Sequence, residues 1–207
     1  KVYRKYKSAM KYYQSLLIII LLGSLAYMGS LGNGFVWDDE EQIVNNPVIQ
    51  NLGNIRATLS GGTFTTGGGG LSGWFFRPLL TLTFMLNYAL WGNAASGFHL
   101  FQIVFHIANA ILFFAILESL GSGSRHPYDR AIHTLFAAIF AIHPGIAEAV
   151  VYISAIGEVL YTFAILLALL LLLQTKELGV WRLVALCFLL FAALLNKESA
   201  IAAFTMM

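Results

Sequence analysis

The sequence predicts an all-α membrane protein, a polytopic helix bundle with one long loop on its outer side. Three observations point there. Of 207 residues, 58% are apolar and 11% charged, with a mean hydropathy of +0.75, whereas ordinary soluble domains carry about 25% charged residues. Apolar runs of roughly membrane-spanning length recur along the chain. Its cations also segregate by loop. Together these exclude a soluble enzyme, a nucleic-acid binder and a disordered tail. A net charge of +2 is too small to imply an anionic polymer as partner. The one cysteine, Cys187, lies in an apolar run and excludes a disulfide framework or a cysteine metal cluster.

A spanning helix needs about 20 mostly apolar residues. Candidate spans cover residues 14–31, 98–117, 131–142, 153–173 and 183–195, and another begins after 199. The third and fifth are short, so neighbouring protein must shield their ends. Residues 78–91 are apolar too, but Thr81, Thr83, Asn87 and Tyr88 interrupt them, and Pro78 suits a first helical turn. An interfacial or re-entrant helix is expected there. The chain opens on Lys1 and closes within a fresh apolar run, as expected for the N-terminal part, residues 1–207, of a longer transmembrane domain.

A cytoplasmic N-terminus puts Lys1, Arg4, Lys5, Lys7, Lys11, Arg125, Arg130, Lys176 and Arg182 inside, nine of the twelve cations. Arg56, Arg77 and Lys197 fall outside. This obeys the positive-inside rule, and counting 78–91 as a span would abolish the bias. The same assignment puts Asp38, Asp39, Glu40, Glu41, Glu148, Glu158 and Glu198 on the outer face. An acidic outer face suits proton-transfer or metal chemistry, or acids simply sit where they are tolerated.

The outer loop, residues 32–77, is far longer than a connector, and such loops are usually functional or disordered. Four acids, Asp38 to Glu41, follow Trp37 directly. Repulsion and partial burial should raise the pKa of one of them, as a general base near neutral pH requires. Alternatively, Asp38 or Asp39 caps a short helix. Asn45-Asn46-Pro47 signals a turn. Ile49, Leu52, Ile55 and Leu59 then keep helical spacing, predicting a surface helix over 48–59. Residues 61–73, rich in glycine, read as a flap or linker more readily than as a phosphate cradle. Arg77 stands among Trp74, Phe75 and Phe76, placed to grip a phosphate or to anchor at lipid headgroups.

Further outer candidates are His143, Glu148, Glu158 and Lys197. With Asp38 and Asp39, His143 and the two glutamates offer ligands for a divalent cation but define no geometry. Alternatively His143 caps the third span, and Lys197 pairs with Glu198. In the second span His99, His106 and Asn109 share one face, which suits hydrogen bonds between helices.

FVWDDEEQIVNNPVIQNLGN, FFRPLLTLTFMLNYALWG, GFHLFQIVFHIANAILF, FAAIFAIHPGIAEAVVYISAIGEVLYTFAILLALLL and LLNKESAI, in that order, resemble the integral-membrane glycosyltransferases of the GT-C fold. More narrowly, they resemble the branch related to protein O-mannosyltransferases that often carries tetratricopeptide repeats. The resemblance implies a polyprenyl-phosphate-linked sugar as donor and a protein or glycan hydroxyl as acceptor, with inverting transfer at the outer face of the bilayer. It assigns the base to Asp38 with Asp39 as partner, and the leaving phosphate to Arg77 first and Lys197 second. His143, Glu148 and Glu158 would line the pocket, and Asp38, Arg77, His143, Glu148, Glu158 and Lys197 are expected to meet in one cavity. One departure is that relatives often show Gly-Arg where this chain has Ala155-Ile156 before Gly157-Glu158. The rival readings are a transporter, which would put charges at mid-membrane, and a non-catalytic assembly subunit. A bacterial inner membrane is expected in preference to the endoplasmic reticulum.

Overall fold

In a computed structural model of the chain, residues 2–63, 75–121, 129–174 and 179–205 are described, with 2–10 and 203–205 described by their backbone alone. The glycine-rich stretch from 64 onward, Trp74, Arg125, His126, Lys176 and Glu177 lie outside them. The described chain is all helix and turn. Its α-helices are α1 (Val2–Tyr27), α2 (Ile55–Ser60), α3 (Pro78–Trp91), α4 (Ala95–Leu120), α5 (Asp129–Ile142), α6 (Ala147–Val151), α7 (Ile156–Leu173) and α8 (Val180–Asn196).

Three stretches are long and apolar enough to cross a bilayer: Lys11–Gly32, Ala95–Leu120 and Ile153–Leu173. The expected third span is too short by itself. Fourteen residues rise about 21 Å against a hydrocarbon core of about 30 Å, and Asp129–Ile142 continues through a 46° bend into Pro144–Val151. Pro144 has no N–H to continue α5, so the break falls there. α8 is likewise a short apolar helix.

Helix α4 is the hub, touching α1, α3, α5, α6 and α7, and α8 packs on α7 and α3. Small residues let the backbones approach, as expected where lipid removes the usual hydrophobic drive. α5 turns Ala137, Ala138 and Ala141 inward and leaves Ile132, Leu135, Phe136 and Ile139 exposed. α7 buries Gly157, Ala164 and Ala168. Exposed Leu17, Leu21, Leu25, Val104, Phe188 and Phe191 complete an apolar outer belt.

Polar side chains inside the bundle mostly bridge helices. His106 Nε2 lies 2.9 Å from the Ala141 carbonyl, and Asn109 donates to the Val159 carbonyl at 2.9 Å. Gln102, not singled out in the sequence, donates to the Ala149 and Tyr152 carbonyls and so pins the α6–α7 break onto α4. His99 departs from this pattern: it is buried, no hydrogen bond of normal geometry reaches either ring nitrogen among the described residues, and only a loose contact with the Asn33 backbone serves the ring. At the opposite end, Glu118 accepts from Arg130 and pairs with His133, an ion cluster between α4 and α5 that sequence spacing did not reveal.

α3 begins at Pro78 and ends at Gly92, whose φ of 57° lets the chain turn back into α4. That reversal is tight. A Cβ on Gly97 would lie 2.2 Å from Trp91 Cγ and 2.7 Å from its Cβ. Gly97→Ala should therefore destabilise the protein by about 1–3 kcal/mol, read as a lower melting temperature in detergent; an unchanged melt would mean that the indole moves aside freely.

The helix expected over 48–59 is shorter than the pattern suggests. Asn46 accepts from the Val48 N–H, and Asn51 from the Gly53 N–H. These local turns compete with helix, so only a 3₁₀ turn at Leu52–Asn54 and α2 form.

Candidate functional site

The four-acid run folds into a turn and a π-helical segment, Glu40–Val44. The two aspartates take different places. Asp39 is buried, at 1% exposure. Its Oδ2 accepts from the Val36 N–H at 3.0 Å, and its Oδ1 from the N–H and hydroxyl of Ser154 at 2.8 and 2.5 Å. It does stand at the start of the Glu40–Val44 helix, but its carboxylate makes no cap bond there. It fastens the loop to the α6–α7 break instead. Asp38 is exposed; its N–H donates to the Tyr152 hydroxyl at 3.2 Å, and its carboxylate makes no hydrogen bond among the described residues.

Burial raises the pKa of Asp39, hydrogen bonds from Ser154 and Val36 oppose the shift, and neighbouring Asp38 adds to it. The raised value sits on the clamped member of the pair. Because the fold binds this proton more tightly than the unfolded chain, the contribution to stability is full below about pH 3.9 and declines as pH rises through the raised value. Asp39→Asn offers one acceptor oxygen where three donors converge, and leaves either Val36 or Ser154 facing an NH₂. A loss of about 1–3 kcal/mol is expected. Chemical denaturation checks it, together with loss of the pH slope in that range.

Trp37 holds the turn in an unusual conformation. Its φ of 50° lies in the left-handed region, which costs a non-glycine residue on the order of 1–3 kcal/mol. The ring stands 82% exposed, edge-on to Tyr152 at 5.9 Å between centroids. Beside it opens a cavity of about 900 Å³ lined by Asn33, Val36, His99, Glu148, Val151 and Tyr152, among others.

The remaining candidates form a second group. Arg77 grips Glu198 with two bonds, Nε to Oε2 at 2.9 Å and Nη2 to Oε1 at 2.5 Å, and its guanidinium lies 4.5 Å from the Phe75 ring centroid. Lys197 pairs with Glu158, not with Glu198. Its neighbour's carboxylate is already taken by Arg77, and α7 begins alongside. Five of the six outer residues thus divide in two, His143 stands apart, and the expected single cavity does not collect them. Glu148 lines the cavity and the Asp38–Asp39 turn borders it at Tyr152, while Arg77, Glu158 and Lys197 form an ion-pair network. Both groups surround one apolar cluster containing Ile43, Leu80, Phe84, Ile153 and Ile156. Ile156 is fully buried there, so this side of the site is sealed by packing.

His143 joins neither group. It is exposed, and its Nδ1 accepts from the Gly145 N–H at 3.1 Å, capping the turn after α5 and not α5 itself. Among the described residues no three His, Cys, Asp or Glu side chains converge as a metal-binding group. Tyr152, Ser154 and His99 were not among the expected site residues. Hydroxyls on an apolar turn give no periodic signal, and the partners of Tyr152 and Ser154 lie 114 and 115 residues away.

Comparison with known proteins gives the chain relatives. A protein O-mannosyl-transferase of Caenorhabditis elegans is 33% identical over 172 residues, covering 80% of this chain. The chain is a homologue of the protein O-mannosyl-transferases. Tmtc1 of Drosophila melanogaster is 31% identical over 88% of the chain, and TMTC3 of Mus musculus 29% over 91%; both are named protein O-mannosyl-transferases. The chain spans 24%, 21% and 20% of the length of these three relatives. No family model matches it, and no solved structure does. All three relatives come from animals, so the expectation of a bacterial inner membrane finds no support.

Proposed function

We propose that this chain forms part of a membrane mannosyltransferase that takes its sugar from a polyprenyl-phosphate donor and passes it to an acceptor hydroxyl on the outer, lumenal face. The observation that carries the reading is the division of labour in the aspartate pair: a buried, triply bonded Asp39 holds an exposed, unpaired Asp38 beside an aromatic-walled cavity. Homology to proteins named O-mannosyl-transferases supports the reaction class.

In this mechanism the Asp38 carboxylate takes the acceptor's hydroxyl proton as that oxygen attacks the anomeric carbon. The carbon–oxygen bond to the lipid phosphate breaks, the phosphate leaves with the electron pair, and configuration inverts. Arg77 and Lys197 supply positive charge toward the departing phosphate. Glu148 borders the sugar side, and Glu158 holds Lys197 in place. Charges lie at the ends of the helices, as a surface reaction needs; a transporter would require them along a mid-membrane path.

The test is transfer by the complete protein in liposomes to a serine- or threonine-containing peptide, comparing polyprenyl-phosphate mannose with a nucleotide-linked mannose. Product from the lipid donor alone, with inverted anomeric configuration, supports the proposal. Product from the nucleotide sugar alone, or retention of configuration, refutes it.

A further inference from the structure

His99 is the most anomalous side chain in the bundle. It sits in the second turn of α4 at 1% exposure; no hydrogen bond of normal geometry reaches either ring nitrogen among the described residues, and its polar contact is a loose one with the Asn33 backbone at the cavity wall. Its polar neighbours in α4 behave otherwise: Gln102, His106 and Asn109 all bridge to backbone carbonyls of other helices. A buried polar group left unpaired calls for an explanation, because its desolvation goes uncompensated. Here the ring lines the cavity that Trp37, Glu148 and Tyr152 enclose.

We propose that His99 is the specificity-determining residue of this cavity and reads one hydroxyl of the pyranose that is transferred. The inference rests on the glycosyltransferase reading and gives its cavity an occupant. The chemistry of the walls selects a sugar. Trp37 offers an exposed ring for the apolar C–H face of a pyranose, held in place by a strained backbone and by Tyr152. Glu148 from α6 and His99 from α4 bring a carboxylate and an imidazole from different helices, which suits a ligand with hydroxyls on several edges. A peptide's serine or threonine side chain has one hydroxyl and would satisfy one of them. The imidazole both donates and accepts, so it can pair with a hydroxyl in either sense. An apolar pocket discriminates weakly between sugars that differ by one hydroxyl, but a site with a buried partner for that hydroxyl rejects the analogue lacking it. The backbone N–H of Asp38 donates to the Tyr152 hydroxyl, which ties the turn carrying the proposed base to the wall of this cavity.

The experiment is equilibrium binding to the complete protein in detergent. The probes are a short-chain polyprenyl mannosyl phosphonate, a C-glycoside that cannot transfer, and its four monodeoxy versions. One monodeoxy probe should bind wild type about tenfold or more weakly, and in His99→Phe that probe and the parent should differ by less than about twofold. If His99→Phe does not fold, His99→Leu is read the same way. On wild type, the ¹⁵N imidazole resonances of His99 should move with the parent probe and stay in place with the discriminated one. Equal binding of all five probes to wild type, ratios preserved in the variants, or a His99 resonance indifferent to the probe would overturn the proposal. Failure of the underlying reading appears elsewhere, in the transfer assay and in Asp38→Asn, neither of which this measurement uses.

Discussion

Asp38→Asn lowers the rate of sugar transfer by about 10²- to 10⁴-fold, the usual contribution of a positioned general base, and leaves the stability within about 0.5 kcal/mol of wild type. Both halves follow from the turn. The backbone N–H of Asp38, not its side chain, is bonded to Tyr152, and asparagine keeps that N–H. The side chain is exposed, so changing a carboxylate to an amide leaves no buried donor unpaired. Asn cannot take the acceptor's proton, and the hydroxyl oxygen must then attack with its proton still in place. The measurement is single-turnover transfer in the complete protein beside a thermal melt. A variant as fast as wild type would remove Asp38 from the mechanism and with it the proposed role of the turn.

Asp39→Asn gives the opposite signature, a clear loss of stability, and any rate loss follows from a displaced turn. Adjacent carboxylates of equal chemistry thus separate by assay. In sequence they are indistinguishable, because which one is buried depends on Ser154, 115 residues away.

That contrast marks what the sequence could and could not disclose. Helix positions were legible because apolar runs are local: the helix expected at residues 78–91 is α3, bounded by Pro78 and Gly92. The shortened helix at 55–60 was not, since Asn46 and Asn51 redirect backbone hydrogen bonds that a periodic pattern counts as helical. Charged outer residues were legible as candidates, but their pairing was not. Arg77 meets Glu198 across 121 positions and Lys197 meets Glu158 across 39, contacts set by the docking of α8 against α3 and α7. His99 shows the same limit from the other side. It shares a helical face with His106 and Asn109, yet it lines a cavity where they bridge helices.

Arg77→Ala lowers kcat by about 10²- to 10³-fold, the scale for losing one preorganised charge at a developing anion, with little change in stability. The pair it forms with Glu198 is partly exposed, the side chains retaining 14% and 57% of their accessible surface, and such pairs contribute on the order of 0–1 kcal/mol. Arg77→Lys keeps the charge but loses the two-pronged grip, so it recovers part of the rate. Glu198 sets the resting state. Arg77's hydrogen bonds hold its carboxyl below the ordinary glutamate range, with burial opposing the shift. A lowered folded value means that the pair's contribution is present above the unfolded value, about 4.3, and is lost as pH falls through the folded one. At neutral pH the donor's phosphate therefore meets a guanidinium already engaged and must draw it from Glu198. Glu198→Gln weakens that hold and should lower KM for the lipid donor without raising kcat. Steady-state kinetics on the three variants decide the matter: an Arg77→Ala enzyme with wild-type kcat, or a Glu198→Gln enzyme with raised donor KM, would confine this network to joining α3, α7 and α8.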